Sequence, residues 1–318
     1  MKVFNDAAKV SKEDPMLQYD FSRYQNQAGD FYLVEARIAW SALEKIKDKK
    51  IVYLQVEEPN RFLSKDLYFR GDAYDAYFYK ILTVCPFTTE WLNERDGSQR
   101  RISVFIPINE EKIPPKAEKK YDVIYVGNII SREIKQNLNI LRKFNYRFIA
   151  RDKNPYVTDY DVSYKEKMKL LSETKIAVIH GIVNCEGKYL RALWTNPGIE
   201  RNRAFSHLPR KTWYNFLWSF VSRKALFAPQ LKTRIAEAAA ARSLMLCRRD
   251  PWNIIERWYT PDVDFIYYNE GRLEEKIREI LTDWQSDKYQ KMIDNAYEKT
   301  TREYTTKVFF EKFLKNLK

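Results

Sequence analysis

Short apolar runs that alternate with helices are the feature that most constrains the fold of this chain. The clearest example is the stretch from Lys232 to Tyr268. It opens with an alanine-rich helix, Thr233 to Arg242, whose residues have high helix propensity. An apolar run from Ser243 to Cys247 then ends at a turn, and a second helix and strand complete the stretch. This alternation predicts a parallel sheet with helices on its faces.

The same alternation extends over most of the chain. Apolar runs predict strands at residues 2–5, 51–56, 81–85, 102–106, 121–126, 146–150 and 175–179. Helical spacing predicts helices at residues 31–47, 88–93, 131–143, 164–172, 271–283, 287–299 and 305–317, with Thr88 as an N-cap. A double proline within a charge run at residues 110–120 is typical of a linker. We therefore predict two α/β domains, residues 1–115 and 116–318.

The charge of the chain limits its partners. It carries 56 basic and 43 acidic residues, a formal net charge of +13. Such an excess favours nucleic acid, anionic lipid or phosphorylated small molecules. The sequence lacks a helix-turn-helix, zinc-finger or RNA-binding motif, which disfavours nucleic acid. The amino terminus has no apolar signal core, and no apolar run approaches the roughly 20 residues of a membrane-spanning helix, so a cytoplasmic chain is expected.

Metal and disulfide sites are not expected. The three cysteines are far apart in the sequence and odd in number, which argues against a disulfide framework or a zinc site. The sequence Asp262-Val263-Asp264 matches the Asp-x-Asp pattern of a metal-binding motif. Because it stands beside Pro261 and before an apolar run, we interpret it as a turn that precedes a strand.

A phosphate site is predicted where the second domain begins. Gly127 and Asn128 follow the strand at residues 121–126 and precede a helix. Backbone amides and the helix dipole favour an anion at such a position. Arg132 lies in the first turn of that helix, where it can reach a diphosphate.

Glu237 has one charged neighbour at helical spacing, Arg234. Two interpretations stay open: a solvated pair of these side chains, or a carboxylate directed at ligand hydroxyls at the mouth of a cleft. Lys232 and Arg234 would then extend the phosphate-binding surface. His180 follows the strand at residues 175–179, either as a structural histidine or as a contact to the phosphate or sugar of a ligand.

Glu57 and Glu58 are candidate catalytic residues. They directly follow the predicted strand at residues 51–56. Parallel α/β sheets place their ligands at the carboxyl ends of strands. Either carboxylate is therefore a candidate general base toward an acceptor hydroxyl. A solvated acidic turn is the competing interpretation.

The stretch at residues 232–268 resembles the donor-binding region of glycosyltransferases with the GT-B fold. It is most similar to the group 1 and spore-maturation-protein-like branches, whose pattern is approximately R-x-x-E-A-x-A-x-G, then a strand. The resemblance covers most of residues 121–315. It implies two Rossmann-like domains facing a cleft, with a reduced, acceptor-side amino-terminal domain and a last helix that crosses back onto it.

In that family the glutamate matching Glu237 binds the ribose hydroxyls of the nucleotide sugar. The loop matching Gly127, often with nearby basic residues, lies near the donor diphosphate. This chain departs from the pattern at two positions. Gln230 stands where the family often has a second acid, and Arg242 stands where the family has glycine. We expect the second change to affect how closely the backbone approaches the ligand.

The segment at residues 188–228 does not follow the alternation, because it is basic and rich in aromatic residues. Contact with an anionic membrane surface, packing in the core and stacking on sugar rings are its three open interpretations. The first of them suggests a lipid-linked or cell-envelope glycan as acceptor, and a peripheral location on the inner face of a membrane.

The resemblance implies a hexosyltransferase-like enzyme that needs no metal and no cofactor. It would move a sugar from a nucleotide-diphosphate donor to a hydroxyl acceptor. One alternative is a non-catalytic homologue that binds a nucleotide or glycan, which the departures at Gln230 and Arg242 suggest. The other is a basic nucleic-acid-binding protein.

Overall fold

The computed structural model describes residues 1–4, 21–35, 43–55, 77–129, 131–184, 201–205 and 227–317. Its first sheet is parallel and has the strand order β1-β2-β3-β4-β5. The strands of this sheet are β1 (Lys2–Phe4), β2 (Tyr32–Glu35), β3 (Ile51–Gln55), β4 (Phe78–Thr83) and β5 (Arg101–Ser103).

A second parallel sheet follows along the chain. Its strands are β6 (Tyr121–Val126), β7 (Tyr146–Ala150), β8 (Asp159–Tyr160), β9 (Thr174–Ile179), β12 (Leu244–Arg248) and β13 (Ile266–Tyr268). They are arranged in the order β13-β12-β9-β6-β7-β8. Between β9 and β12 the chain forms an antiparallel pair, β10 (Ile182–Asn184) and β11 (Phe227–Pro229).

Helices connect and cover these strands. The α-helices are α1 (Pro86–Asp96), α2 (Arg132–Leu141), α3 (Tyr164–Ser172), α4 (Thr233–Ala240), α5 (Leu273–Thr282), α6 (Asp287–Glu303) and α7 (Thr306–Phe309), which continues as a π-helix, Phe310–Leu314. Short 3-10 helices occupy Ser22–Tyr24, Glu44–Ile46, Glu110–Lys112, Arg203–Phe205 and Ile254–Arg257.

The central strand β6 shows why the second sheet is buried on both faces. Val123 and Tyr125 belong to one hydrophobic cluster, and Ile124 between them belongs to the other. Successive side chains of a strand point to opposite faces, so a strand covered on both sides is continuously apolar. Helices lie on both faces of this sheet, and the sequence YDVIYV supplies buried side chains to both of them.

Helix α2 illustrates how the covering helices begin. Its Ile134, Leu138 and Leu141 are fully buried and recur at the spacing of one helix face. Ser131 caps the helix, because its Oγ accepts a hydrogen bond from the Ile134 amide at 3.2 Å. The amino terminus of α2 is thereby fixed directly after the Gly127 turn.

The carboxy-terminal segment packs against elements of the first half of the chain. The Ile108 amide donates to the Tyr304 carbonyl, and the Thr306 amide donates to the Ile108 carbonyl, both at 2.9 Å. The Phe309 ring lies 5.3 Å from the rings of Phe21 and Phe105. The segment after α6 thus joins both parts of the molecule. The domain boundary between residues 115 and 116 stays a prediction.

The structure confirms the α/β fold with parallel sheets and corrects some elements. The predicted helix at residues 31–47 is wrong, because its first residues form β2 between β1 and β3. Phe31, Leu33 and Val34 are buried there, and three apolar residues in four fit a buried strand as well as a helix. Thr88 is not the N-cap of α1, which begins at Pro86 with Cys85 as its cap.

In the part of the chain that the structure describes, no helix combines the length and the apolar character that crossing a membrane requires.

Candidate functional site

Predicted site residues gather where strands of the second sheet end. β6, β9 and β12 are neighbours and parallel, so their carboxyl ends lie at one edge of the sheet, here called the carboxyl edge. Gly127 follows β6, His180 follows β9, and Arg248 ends β12. Helices that lead into parallel strands begin at this same edge, and α4 does so directly after Lys232. Open α/β sheets bind their ligands at this edge.

The Gly127 turn is in contact with Arg234. A Cβ atom on Gly127 would lie 2.5 Å from Arg234 Nη1, and the residue has φ of +139°, a conformation that favours glycine. The guanidinium also lies 5.7 Å from the ring of Tyr125. Arg234 Nη1 is buried and has no hydrogen-bond partner among the described residues. The Arg234 guanidinium is therefore packed against the Gly127 turn at the carboxyl edge, with its Nη1 available to donate a hydrogen bond.

Glu237 is buried and pairs with a lysine that the sequence analysis did not single out. Its Oε1 accepts a hydrogen bond from Lys167 Nζ at 2.7 Å. The interpretation of Glu237 as a solvated pair with Arg234 is wrong, because the residue is 2% exposed and its ionic partner is Lys167. A signal for this lysine exists in the sequence: it shares the apolar helix face of Tyr164, Met168 and Leu171.

Tyr164 completes this buried group. Lys167 Nζ lies 4.4 Å from the Tyr164 ring. Burial, together with the nearby Glu237 carboxylate, raises the pKa of the Tyr164 hydroxyl well above its ordinary value. Within the described part of the chain, Glu237 Oε2 and Tyr164 Oη are both buried without a hydrogen-bond partner. The Tyr164 hydroxyl and the Glu237 carboxylate are thus held beside one ion pair and close enough to interact with each other.

His180 is buried beneath the carboxyl edge. Its Nδ1 lies 3.2 Å from the Ile182 carbonyl oxygen, and its Nε2 lies 3.4 Å from Glu133 Oε2. Arg248 Nε donates to the other oxygen of Glu133. Burial acts to raise the pKa of Glu133, but His180 and Arg248 together bring this pKa below its ordinary value. The histidine is 2% exposed, and its position supports the structural interpretation.

Glu133 and Arg248 were not predicted as site residues. Their signals are weak in the sequence, because acids in the first turn of a helix and a basic residue at the end of a strand are common. They are 115 positions apart along the chain. Only the fold brings them together. Arg248 compensates the negative charge of the Glu133 carboxylate beside the predicted phosphate site.

The remaining predicted donor-binding residues are more accessible. Asn128 is exposed directly after the Gly127 turn, and Arg132 is exposed at the first position of α2. Lys232 is half-buried at the position before α4. These residues are therefore placed along the carboxyl edge by the elements that carry them.

The position of Arg242 has a structural explanation. Arg242 has φ of +55° and ends α4, with its amide bonded to the Ala239 carbonyl at 3.0 Å. Its guanidinium lies 3.4 Å from the Tyr297 ring centroid. The end of α4 leads into the amino end of β12, on the opposite side of the sheet from the carboxyl edge. Arg242 therefore lies away from the carboxyl edge, and its effect on ligand approach stays a prediction.

Gln230, at the other departure from the family pattern, is buried beside the antiparallel pair of β10 and β11. Its backbone amide donates a hydrogen bond to the Gly181 carbonyl at 2.8 Å, and the residue is 8% exposed. It thus holds the chain before α4 against the residue that follows His180.

Asp262 and Asp264 form the predicted turn before β13. Asp262 has φ of +59°. Asp264 Oδ2 accepts hydrogen bonds from the Thr260 amide at 2.7 Å and from Lys299 Nζ at 3.1 Å. Among the residues that the structure describes, no group of three or more His, Cys, Asp or Glu side chains is arranged to hold a metal.

Two predictions cannot be placed. Glu57 and Glu58 lie outside the described residues. Most of the segment at residues 188–228 also lies outside them.

Comparison with known proteins gives a family and a fold. Residues 155–315, about half of the chain, match a family model described as glycosyl transferase-like. Compared by sequence with curated proteins, the chain has no significant match.

Solved structures resemble this chain despite low identity. Anabaena HepE in complex with UDP has 9% identity and a TM-score of 0.53, covering 89% of this chain and 76% of HepE. The pneumococcal O-GlcNAc transferase GtfA, in complex with UDP and GlcNAc, has 10% identity and a TM-score of 0.52, covering 89% and 55%. Sucrose-phosphate synthase from Thermosynechococcus elongatus has 8% identity and a TM-score of 0.52, covering 87% and 70%.

These similarities confirm the predicted GT-B fold. The chain spans about half the length of the pneumococcal transferase, with 55% of it covered. The spore-maturation-protein-like branch stays a prediction.

Proposed function

Because the chain belongs to the glycosyl transferase-like family, we propose that it moves a sugar from a nucleotide-diphosphate donor to a hydroxyl acceptor. The donor would lie at the carboxyl edge of the second sheet. The family membership supports glycosyl transfer in general. The donor class and the residue roles are the parts that we add.

The buried carboxylate of Glu237 is the observation that carries this proposal. Its Oε2 is buried without a hydrogen-bond partner of good geometry among the described residues, and the buried Tyr164 hydroxyl interacts with the same carboxylate. A buried polar atom without a hydrogen bond costs about 1–3 kcal/mol, so such atoms are retained where something else satisfies them. We assign Oε2 to the ribose hydroxyls of the donor, the role that the family resemblance implies for this glutamate.

Arg234 would bind the diphosphate. Its unused Nη1 donor lies beside Gly127, one helical turn before Glu237. A ribose at Glu237 therefore places the diphosphate toward the start of α4, where Arg234 and Lys232 stand. Asn128 and Arg132 would extend this surface from the turn and from the first residue of α2.

The reaction would proceed by displacement at the anomeric carbon. The bond from that carbon to the diphosphate oxygen breaks, and a bond to the acceptor oxygen forms. The leaving diphosphate gains negative charge, which fixed cations such as Arg234 stabilise without reorganisation. Glu57 and Glu58 are our candidates for the base that takes the proton of the acceptor hydroxyl.

Two structures that resemble this chain contain UDP, which supports a nucleotide-diphosphate donor by analogy. The HepE and GtfA structures are complexes with UDP. We propose that this chain also takes a nucleoside diphosphate. A lipid-linked or cell-envelope acceptor, and a peripheral position on a membrane, rest on the composition of residues 188–228 alone.

A thermal-shift series with UDP, GDP, ADP, CMP and dTDP tests the proposal. A ligand that binds only the native state, supplied at 100 times its Kd, stabilises that state by about 2.7 kcal/mol. We expect one nucleoside diphosphate to raise Tm by several degrees and CMP to have less effect. If none of the five raises Tm, the donor site proposed here is wrong.

A non-catalytic binding protein is the second candidate, because Gln230 stands where the family often has an acid. Hydrolysis of a panel of nucleotide sugars separates the two. Slow release of the nucleoside diphosphate from one donor supports an enzyme. Nucleotide binding with no turnover of any donor supports the binding protein.

A further inference from the structure

A cavity of about 460 Å³ lies between the first sheet and the carboxy-terminal part of the chain. Small-molecule sites commonly have about 300–1,000 Å³, so this volume suits a sugar-sized ligand. The first sheet contributes Val84 and Ser103, which stand at the carboxyl ends of β4 and β5. The other walls come from the segments around Trp258, Tyr304 and Lys312.

Aromatic side chains line much of the cavity. Phe105, Trp258 and Tyr304 are buried, and Phe313 is half-buried. The Phe105 ring lies 5.3 Å from the Tyr304 ring and 5.6 Å from the Phe313 ring. Such rings give a rigid, apolar surface at low cost in conformational entropy. The apolar faces of a sugar ring or a polyol chain pack well on a surface of this kind.

The cavity also carries an excess of positive charge. Arg257, Arg302 and Lys312 line it, and Glu303 is its acidic side chain. Arg302 is paired with Glu303 at 2.7 Å. Arg257 lies 5.6 Å from the Phe87 ring, and Lys312 lies 5.4 Å from the Phe313 ring. Neither of these two forms an ion pair with a described residue, so two exposed cations stand over aromatic rings.

We propose that this cavity binds an acidic group, a phosphate or a carboxylate, on the sugar or polyol acceptor. The inference rests on the proposed function, because it assigns an acceptor class to the same enzyme. Parallel sheets bind ligands at the carboxyl ends of their strands, and β4 and β5 end here. Leu231 lines the cavity and directly precedes Lys232, which connects the cavity to the donor side.

Isothermal titration of the full chain with four probes tests this assignment. The probes are glucose 6-phosphate, glucuronate, glucose and inorganic phosphate. We expect one of the two acidic sugars to bind at least about tenfold more tightly than glucose, and more tightly than inorganic phosphate. Raising the salt concentration should weaken that binding, because the cations are exposed and screened.

Variants locate the binding. Arg257→Gln and Lys312→Gln should each weaken the acidic sugar about three- to tenfold. Lys315→Gln is the matched control, since Lys315 is exposed just after the π-helix and does not line the cavity. Nucleotides should raise Tm equally in all three variants, because the substituted residues line the cavity or the surface and not the donor site. If wild type binds no nucleotide, that result counts against the donor site and leaves the cavity assignment to be judged by the sugar titrations.

Two binding results with the unmodified chain would overturn the cavity assignment. One is equal affinity for glucose and for both acidic sugars, or no binding of any of them. The other is inorganic phosphate that binds as tightly as the acidic sugars, which would mark a site for a free anion rather than for an acceptor. Equal effects of Lys312→Gln and Lys315→Gln would likewise show that the cavity is not the site.

Discussion

Two lysine–carboxylate pairs in the second half of the chain differ in burial and in how their carboxylates are bonded. Lys299 and Asp264 are joined at 3.1 Å, and Asp264 also accepts a bond from the Thr260 amide. Lys167 and Glu237 are joined at 2.7 Å, but Glu237 keeps one oxygen without a partner in the described residues. Both bonds to Asp264 reach the same oxygen, Oδ2, and among the described residues this pair leaves no buried oxygen without a partner. The second leaves capacity for a ligand at the carboxyl edge, which is why we assign function to it.

Removing each lysine should give the largest difference between the pairs. Lys167→Met leaves Glu237 buried without a counterion, and breaking a buried pair in this way costs about 3–5 kcal/mol in the free energy of unfolding. Lys299→Met should cost about 1–2 kcal/mol, because the Lys299 side chain is 24% exposed and Asp264 keeps its amide donor. Urea denaturation measures both.

The double variant Lys167→Met/Glu237→Gln serves as the control for uncompensated charge. It should recover part of the stability lost in Lys167→Met, because the buried charge is removed. Equal losses in the two single lysine variants would contradict the distinction between the pairs.

A pair of glycines tests how closely the carboxyl edge is packed. Gly127→Ala should lower the free energy of unfolding by about 2–3 kcal/mol, since it strains the backbone and pushes the new methyl group into Arg234. Gly97 also has positive φ, at +59°, but a Cβ there would meet nothing within 4 Å. Gly97→Ala should therefore cost about 1 kcal/mol. Similar losses in urea would mean that Arg234 does not occupy the space beside Gly127.

Another lysine, the half-buried Lys119, binds carbonyl groups instead of a carboxylate. Lys119 Nζ donates to the Ser172 and Arg242 carbonyls, and burial, with help from Lys116 and Arg242, lowers the pKa of Lys119 to about 8. Between this pKa and the higher value of the unfolded chain, the unfolded state binds more protons, so stability rises with pH. From pH 7 to pH 9.5 wild type should gain about 1–2 kcal/mol relative to Lys119→Met.

Urea titrations of both proteins at a series of pH values measure this difference. A gap between wild type and Lys119→Met that stays constant over the range would show that Lys119 titrates normally.

Sequence patterns located the second sheet better than the first. β6 and β7 were predicted with the bounds that the structure has, because strands buried on both faces form continuous apolar runs between turn residues. Residues 31–35 were assigned to a helix because a short apolar run fits either period. These residues form a strand because β2 pairs with β1 and β3 on either side of it. Such pairing cannot be derived from a short stretch of sequence.

The candidate site shows the same limit. Gly127, Arg234 and Glu237 could be proposed from turn chemistry and from a family pattern. The partner of Glu237 could not, because Lys167 is 70 positions away and looks like a solvated helix residue until its apolar neighbours are noticed. Pairings of this kind depend on how α3 packs on α4, which composition and spacing do not determine.

Isothermal titration with the nucleoside diphosphate that raises Tm most is the most direct test of the account. The proteins compared are wild type, Glu237→Gln and Asp264→Asn, each of which keeps the shape of the side chain. We expect Glu237→Gln to weaken Kd by about tenfold or more, because it alters the group assigned to the ribose hydroxyls. Asp264→Asn should leave Kd within about twofold of wild type, since Asp264 stands in the turn before β13 and, among the described residues, leaves no buried oxygen without a partner. Unchanged binding in Glu237→Gln, or an equal loss in both variants, would contradict the assignment of the buried Glu237 carboxylate to the donor.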